Sequence, residues 1–351
     1  MINRPGQDMM KGKSVHKKRG PGKDRRKMRH TISISEMRGI RTGQAEDREA
    51  GTGCTVFLSE NGMAAGLDIR GGGPASRESG LLDPLAAAKE IHGIVLAGGS
   101  AFGLGAADGV MQYLEERGTG FDVGVTRVPL VCQSDLFDLT VGNPHVRPDR
   151  TMGYEACLNS EAEGGKGNYR DGNYGAGCGA TVGKAAGMEF CMKSGIGSCA
   201  VQIGELQVGA VVAVNALGDI YDWKSGVKIA GLLAQDRKSF RPAEDVLYAD
   251  IEKVENRFTG NTTIGVIITN ARFDKTSLCK IAGMAHDGFA RSIRPVHTTA
   301  DGDSIYAVSV GAVSADQDLV GTLAAEMMSE AITRAVMAAE GAYGFPAAKD
   351  I

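Results

Sequence analysis

The chain has 351 residues, a formal charge of −3, 50 glycines and a single tryptophan. This length can bury a large core, as one large domain or two smaller ones, and the glycines indicate many tight turns and not a fibrous or disordered chain. No uncharged apolar run reaches about 18 residues, which excludes a membrane-spanning helix.

Charge is distributed unevenly along the chain. Residues 1–30 contain 11 Lys and Arg against 2 acidic residues, so the remainder, with 28 basic and 40 acidic residues, carries a formal −12. The basic segment has little apolar content and is predicted to be a disordered extension of one domain over residues 31–351. The acidic character of that domain argues against nucleic acid as its main partner. Seven cysteines without a C-x-x-C pair are typical of reduced thiols in a cytoplasmic protein.

The first predicted elements flank an Asn-Gly pair. The segment "GTGCTVFLSENGMAAGLDIRGG" contains two short apolar runs around Asn61-Gly62, which predicts a β-hairpin. Residues 91–118 predict a strand, a glycine-rich turn and a helix from about Phe102 that ends at Gly118. A strand followed by a loop is predicted over residues 126–142, and a loop with one short helix over residues 143–174.

The second half of the chain contains the most regular patterns. Residues 198–222 predict two strands with a turn near Gly204, and residues 224–258 a charged surface loop. A buried strand over Thr262–Thr269 precedes an amphipathic helix over residues 274–293. A strand over residues 303–311 and a long, Ala-rich helix over residues 319–342 follow. This mixture predicts an α/β fold with sheets packed between helix layers.

Ser100, in "AGGSAFGLG", is the first candidate for an active site. A serine between a strand and a helix resembles the nucleophile elbow G-x-S-x-G, but Phe102 occupies the position of the second glycine. The triad would also need a histidine, and neither His286 nor His297 has a distinguishing context. The same glycines before a helix are compatible with a phosphate site, although neither nucleotide-binding pattern matches. Close packing of the helix on the sheet is the simpler interpretation.

Asp301 and Asp303, in "HTTADGDSIYAV", form the second candidate. A D-G-D sequence is compatible with the start of a calcium loop, but the closing Glu of an EF-hand does not follow. A turn before a strand explains the motif by itself. Two adjacent carboxylates are also able to hold a protonated amine.

Thr262, in "GNTTIGVIITNA", is the third candidate. A threonine hydroxyl is a poor nucleophile and needs an adjacent base. Cleavage of the Asn261–Thr262 peptide would give Thr262 an α-amine with a pKa of about 7.7–8.0, and that amine can take the hydroxyl proton directly or through one water. The alternative is that Gly260-Asn261 is only a turn that begins a strand.

Six segments together resemble one family: the DmpA-like, self-processing aminopeptidases, which include β-peptidyl aminopeptidases and nylon-oligomer hydrolases. The resemblance extends from about Ile32 to the C-terminus. It rests on the order and spacing of "ISEMRGIRTGQAEDREAGTGCTVFL", "VLAGGSAFGLGAADGV", "GATVGK", "VNALGD", "GNTTIGVIITNA" and "HTTADGDSIYAV". It implies a four-layer α-β-β-α sandwich that resembles the N-terminal nucleophile hydrolases, and a precursor that cuts itself into chains 1–261 and 262–351.

The resemblance also implies roles for single residues. Thr262 matches the nucleophile, which is a serine in many members and a threonine in the nylon-oligomer hydrolases. Lys184 matches the catalytic lysine, and Asn215 matches the amide that points at the nucleophile, a candidate oxyanion donor. The acidic pair Asp301 and Asp303 would lie near the new amine. In the same way Gly99 and Ser100 would line the substrate pocket and offer a backbone N–H to the oxyanion.

The strand over "VPLVCQSDLFDLTVGNP" departs from the family pattern. Cys132, Gln133, Ser134 and Asp135 stand where small apolar residues are expected, and they would make a pocket lined by this strand more polar.

The sequence as a whole thus predicts a self-cleaving amide hydrolase that acts on short peptides or peptide-like amides with a free amino end. No metal or organic cofactor is implied, and the resemblance favours a homo-oligomer of processed heterodimers. A nylon-oligomer endo-hydrolase with the same mechanism is the first alternative. A non-enzymatic binding protein on the same fold is the second.

Overall fold

The structure is a computed structural model that describes Met1, residues 29–249 and residues 260–351. The predicted basic extension therefore lies almost entirely outside the described residues. Its last two residues, Arg29 and His30, belong to the first strand.

The described residues form seventeen strands and six α-helices. The strands are β1 (Arg29–Ile32), β2 (Arg41–Asp47), β3 (Thr52–Ile69), β4 (Ala75–Arg77), β5 (Ile91–Ala97), β6 (Phe121–Asp122), β7 (Arg127–Val128), β8 (Val131–Asp135), β9 (Thr181–Val182), β10 (Met192–Lys193), β11 (Ile196–Ile203), β12 (Leu206–Asn215), β13 (Asp219–Tyr221), β14 (Lys228–Ala230), β15 (Thr262–Ala271), β16 (Ile293–Arg294) and β17 (Ser304–Val313). The helices are α1 (Ala106–Glu115), α2 (Arg150–Asn159), α3 (Ala162–Gly165), α4 (Ala243–Ala249), α5 (Lys275–Ser292) and α6 (Gln317–Ala338).

Two sheets share the long strand β3. One has the order β1-β11-β12-β15-β17-β3, and the other has the order β2-β3-β5-β8-β4. Strand β15 lies in the middle of the first sheet, antiparallel to β12 and parallel to β17. Its apolar residues are buried along its whole length, as a central strand covered on both faces requires.

Three apolar clusters separate four layers. In the first, α5 and α6 pack on one face of the first sheet, with residues such as Val212 and Ile332 in contact. The second lies between the two sheets and includes Phe57 and Val266. The third packs α1 and α2 on the outer face of the second sheet, around Val95 and Val110. The predicted α-β-β-α sandwich is confirmed.

The predicted hairpin at Asn61-Gly62 is wrong. Strand β3 continues for 18 residues through this pair. Gly62 has a φ of +76°, and the register against β5 shifts between Leu58 and Met63, so the pair forms a bulge and not a turn. The bulge bends the strand, and its first half pairs with β2 and β5 while its second half pairs with β17.

The predicted surface loop over residues 224–258 is also wrong in its described part, because β14 and α4 lie there. Asp219 organises this segment from the core: its buried carboxylate accepts the backbone N–H groups of Leu232 and Ala243 and pairs with the Lys228 ammonium. Because one buried side chain holds this segment in place, the segment needs no periodic pattern of apolar residues in its own sequence. Residues 250–258 of the prediction lie outside the described residues.

The other long elements agree with the sequence patterns. The turn between β11 and β12 contains Gly204 at a φ of +64°. Asp274 and Asp316 cap the N-termini of α5 and α6 through their side chains. Among the described residues, no helix combines the length and the apolar character needed to cross a membrane.

Candidate active site

Thr262 is the first residue of a buried central strand. The antiparallel register between β12 and β15 places Thr262 directly opposite Asn215, which ends β12. Only 4% of Thr262 and none of Asn215 is exposed. The register of the sheet therefore brings together two residues that the sequence singled out for different reasons.

The carbonyl group of Asn261 has two donors. The Thr262 hydroxyl donates to its oxygen, and so does the backbone N–H of Gly302, at 2.9 Å. Asn261 is held further by a short parallel bridge with Asp301 and by its own N–H, which donates to Ala300 O at 3.3 Å. The carbonyl of Asn261 thus lies beside a hydroxyl and an N–H that polarises it.

Lys184 lies behind Asn215. Its ammonium donates to Asn215 Oδ1 at 2.6 Å and to the Asn215 carbonyl oxygen at 3.0 Å, and the Thr181 N–H donates to the same Oδ1 at 3.1 Å. These donors fix the amide so that its Nδ2 donates to Phe137 O at 2.9 Å and to Gly260 O, just before Asn261, at 3.4 Å. Burial lowers the pKa of Lys184 to about 8, against the smaller opposing effects of Cys191, Asp301 and Asp138.

The two acidic residues have separate tasks. Asp303 Oδ1 accepts the N–H of Thr263, the residue after the candidate nucleophile, at 2.7 Å. Asp301 Oδ2 accepts the Thr298 N–H at 2.8 Å and its hydroxyl at 2.5 Å. Burial, and then the charge of Asp303, raise the pKa of Asp301 to about 6. These oxygens already accept N–H and O–H groups, so the geometry supports the turn interpretation over a calcium loop.

The turn that carries the acidic residues is clamped by the glycines that follow β3. The N–H groups of Arg70 and Gly71 donate to Asp303 O at 2.9 and 3.2 Å, and the Gly73 N–H donates to Asp301 O at 2.9 Å. A Cβ on Gly71 would lie 2.3 Å from Asp303 N, so only glycine permits this approach. The sequence analysis missed this clamp, although three consecutive glycines after a strand were a visible signal.

Gly302 is a second residue that the sequence analysis missed. A Cβ at this position would lie 2.6 Å from Thr262 Oγ1. The glycine thus leaves room for the hydroxyl while its N–H contacts the carbonyl of Asn261.

Gly99 and Ser100 are connected to Asn215 by hydrogen bonds to the chain segment 136–137. Ser100 N donates to Leu136 O at 3.0 Å, and the next carbonyl, that of Phe137, accepts the Asn215 amide. Neither residue offers the expected free backbone N–H to an oxyanion. The Ser100 N–H donates to Leu136 O, and the Gly99 N–H donates to the Asp138 carboxylate at 2.7 Å. The same carboxylate contradicts a phosphate site in this turn, since it would repel an anion.

Ser100 has a strained backbone, with a φ of +53°, in the short 3-10 helix Ser100–Gly105. This conformation resembles an elbow, but its hydroxyl makes no hydrogen bond to any histidine of the described residues, and the hydrolase triad is therefore not supported.

The polar residues of β8 do not line an open pocket. Gln133 and Asp135 are buried and face the start of α1, where Gln133 accepts the Ala107 N–H at 2.9 Å and donates to Gly103 O and Asp135 at 2.7 Å. Ser134 faces the other sheet and contacts the Tyr306 hydroxyl at 2.7 Å. The more polar pocket was expected only if this strand lined it, and that condition is not met, because these side chains are buried and bonded inside the protein.

The family comparison decides the class of protein. The model of peptidase family S58 matches residues 33–349. The chain belongs to this family. This S58 chain is therefore a DmpA-type aminopeptidase or amidase, and the family predicted from the six segments is confirmed.

Individual S58 relatives agree in coverage. The chain is 35% identical over 342 residues to an uncharacterized aminopeptidase of Mycobacterium leprae (strain TN), and the alignment covers 90% of this chain and 92% of the relative. It is 31% identical over 315 residues to a 6-aminohexanoate-oligomer endohydrolase of Paenarthrobacter ureafaciens, which covers 85% and 84%.

Solved structures confirm the fold of this S58 chain. The L-aminopeptidase D-Ala-esterase/amidase of Ochrobactrum anthropi, described as a variant of the Ntn hydrolase fold, superposes with a TM-score of 0.66 at 17% identity over 88% of this chain and 86% of the other. A β-aminopeptidase of Burkholderia sp. gives a TM-score of 0.60 at 20% identity, with the same coverage of 88% and 86%.

Proposed function

We propose that this S58 chain cuts itself between Asn261 and Thr262, and that the new N-terminal Thr262 then hydrolyses short peptides or peptide-like amides. The observation that carries the proposal is the contact of the Thr262 hydroxyl with the carbonyl of Asn261, on which the Gly302 N–H also converges. A nucleophile, the carbonyl it would attack and a donor for the developing oxyanion are together in the uncut chain.

Self-cleavage follows as an acyl shift and a hydrolysis. Thr262 Oγ1 attacks the Asn261 carbonyl carbon and its proton passes to the Thr262 nitrogen, which leaves as an amine while an ester forms. Water then hydrolyses the ester, so that Asn261 ends in a carboxylate and Thr262 regains its hydroxyl. Asp303 holds the Thr263 N–H throughout and keeps the strand in register with Asn215.

Substrate hydrolysis reuses the same hydroxyl. The Thr262 amine takes the hydroxyl proton as Oγ1 attacks the substrate carbonyl, the departing amine of the substrate receives a proton, and an acyl-enzyme ester remains for water to cleave. Asn215 Nδ2 is the candidate oxyanion donor, since its longer bond, 3.4 Å to Gly260 O, involves the segment that ends at the cut. The Lys184 ammonium fixes the Asn215 amide and adds positive charge beside it.

The substrate class comes from the relatives. The aminopeptidase relative at 35% identity favours peptides with a free amino end, and two buried acidic residues, Asp301 and Asp303, lie beside the start of β15. The alternative of a nylon-oligomer endo-hydrolase is favoured by the relatives at 31% identity that carry that name. We expect processed heterodimers to assemble into a homo-oligomer in the cytoplasm.

Intact mass and N-terminal sequencing test the self-cleavage. The wild type is expected to yield a chain that begins Thr-Thr-Ile-Gly, Thr262→Ser is expected to cut as well because it keeps the hydroxyl, and Thr262→Ala is expected to stay whole. A wild type that remains a single chain after long incubation and hydrolyses no amide would overturn the proposal.

A substrate panel separates the two candidate activities. Aminoacyl p-nitroanilides with free amino ends, their N-acetylated forms and 6-aminohexanoate oligomers are compared on the processed enzyme. Hydrolysis of the free forms alone supports an aminopeptidase, whereas cleavage of the oligomers with no preference for a free amine supports the endo-hydrolase.

A further inference from the structure

His297 contacts Asp303 of the acidic pair, although the sequence analysis assigned it no role. Its backbone N–H donates to Asp303 Oδ2 at 3.2 Å, and its ring Nδ1 lies 2.8 Å from the same oxygen. The residue is in the left-handed region, with a φ of +58°. A non-glycine residue held in this strained conformation is found where the surroundings require it.

The hydrogen-bond partners fix the direction of this contact. A carboxylate oxygen can only accept, so His297 Nδ1 carries a proton and donates it. The other oxygen of Asp303 accepts the Thr263 N–H at 2.7 Å. The Asp303 carboxylate therefore joins the His297 ring to the residue that follows the candidate nucleophile.

The ring of His286 packs beside the ring of His297, with their centroids 4.7 Å apart. Its Nε2 lies 3.0 Å from the carbonyl oxygen of Asp68, which can only accept, so that nitrogen carries the ring proton. Burial lowers the pKa of His286 to about 4, which keeps the ring neutral at physiological pH. Its Nδ1 has no partner among the described residues. Of the two histidines, His297 alone contacts Asp303.

We propose that His297 is a positioning residue: its Nδ1–H holds the Asp303 carboxylate in the orientation that aligns the Thr262–Thr263 peptide for self-cleavage and hydrolysis. This inference rests on the proposed function of Thr262. Without the ring, Asp303 Oδ2 keeps, among the described residues, only the longer bond to the His297 backbone N–H, and the carboxylate is free to turn away from Thr263.

Two variants separate the ring from the backbone. Asparagine and glycine both tolerate a positive φ. His297→Asn keeps a side-chain N–H donor at about the place of Nδ1, whereas His297→Gly removes it without adding strain. The comparison of these two variants therefore isolates the donor, and thermal unfolding of both verifies that the fold is retained.

The rate of appearance of the Thr-Thr-Ile-Gly chain is the main measurement. His297→Gly is expected to slow self-cleavage by about tenfold or more, a factor that corresponds to ~1.4 kcal/mol, while His297→Asn stays close to the wild type. On the fraction that does process, kcat is expected to fall with KM changed by less than about twofold, since the ring acts through Asp303 and not on the substrate.

Each failure has a distinct signature. If the wild type cuts but the Gly and Asn variants cut at equal rates, the role of His297 is overturned and the proposed function stands. If the wild type does not cut, both fall. If His297→Gly does not fold, a measurement on the wild type alone still tests the inference. 15N spectra of the histidine rings are expected to show a protonated Nδ1 at His297. An unprotonated Nδ1 there would overturn the inference.

Discussion

Gly302→Ala tests the geometry of the scissile bond with one added methyl group. The new Cβ would lie 2.6 Å from Thr262 Oγ1, whereas ordinary contact begins at 3.4 Å, so the hydroxyl must retreat by about 0.8 Å. The carbonyl oxygen of Gly73, 3.0 Å from the new atom, limits any shift of the methyl group itself. The φ of Gly302 is not in the left-handed region, so alanine adds no backbone strain.

The expected cost falls on chemistry more than on folding. Rotation of the Thr262 side chain relieves the clash but takes Oγ1 off the Asn261 carbonyl, and misplacement by about 1 Å can cost about 100-fold in rate. Stability should fall by only ~1–3 kcal/mol, the usual cost of overpacking. Time courses of intact mass measure the cleavage rate and urea unfolding measures stability. Gly80→Ala is the matched control, because nothing lies within 4 Å of its new Cβ. A Gly302→Ala protein that cuts as fast as Gly80→Ala would refute the assignment of Thr262 Oγ1 as the attacking atom.

Two further predictions concern buried charge. The Lys184 ammonium, whose pKa burial lowers to about 8, is lost as the pH rises through that value. We therefore expect kcat/KM to fall above about pH 8. Lys184→Met is expected to remove most of the activity and to abolish this fall of kcat/KM at alkaline pH. If the fall persists in Lys184→Met, another group causes it. In a Thr262→Ala background, Asp301→Asn keeps an oxygen that accepts the Thr298 N–H. It removes a carboxyl group whose pKa is raised from 3.8 to about 6. Above about pH 6 the Asp301 carboxylate is ionised in the folded state and destabilises it, whereas below about pH 4 it is protonated and does not. The variant should therefore be more stable than its parent at pH 7, by up to about 3 kcal/mol. Urea unfolding at both pH values checks this, and a gain that persists at pH 4 contradicts it.

The elements that the sequence predicted well are those whose pattern is local. The turn at Gly204, which joins β11 to β12, and the buried run of β15 are both visible in consecutive residues. Among the candidate site residues, Thr262, Asp301 and Asp303 were singled out from their own motifs, whereas Lys184 and Asn215 were assigned only through the family resemblance. Their order along the chain could then be compared with one family.

The parts that the sequence did not predict depend on distant contacts. Asn61-Gly62 has the composition of a hairpin turn, and only the pairing of β3 with β5 and β17 shows that it is a bulge. Gly302 and His297 both stand in the segment "HTTADGDSIYAV", but nothing in that segment indicates that Gly302 contacts Thr262 or that His297 contacts Asp303. Their importance comes from the fold, which brings the turn between α5 and β17 against the start of β15.

The position of the scissile bond at the entrance of a central strand has a physical advantage. Eight register pairs join β12 to β15 as far as Thr262, and β17 pairs with the other edge of β15. A cut before Thr262 therefore leaves the new N-terminus held by backbone hydrogen bonds that existed before the cut. A nucleophile released in a surface loop would gain conformational freedom on cleavage and would lose it again in each turnover. Here the strand would keep the hydroxyl opposite Asn215, and the proposed cut would add the amine while the geometry is preserved.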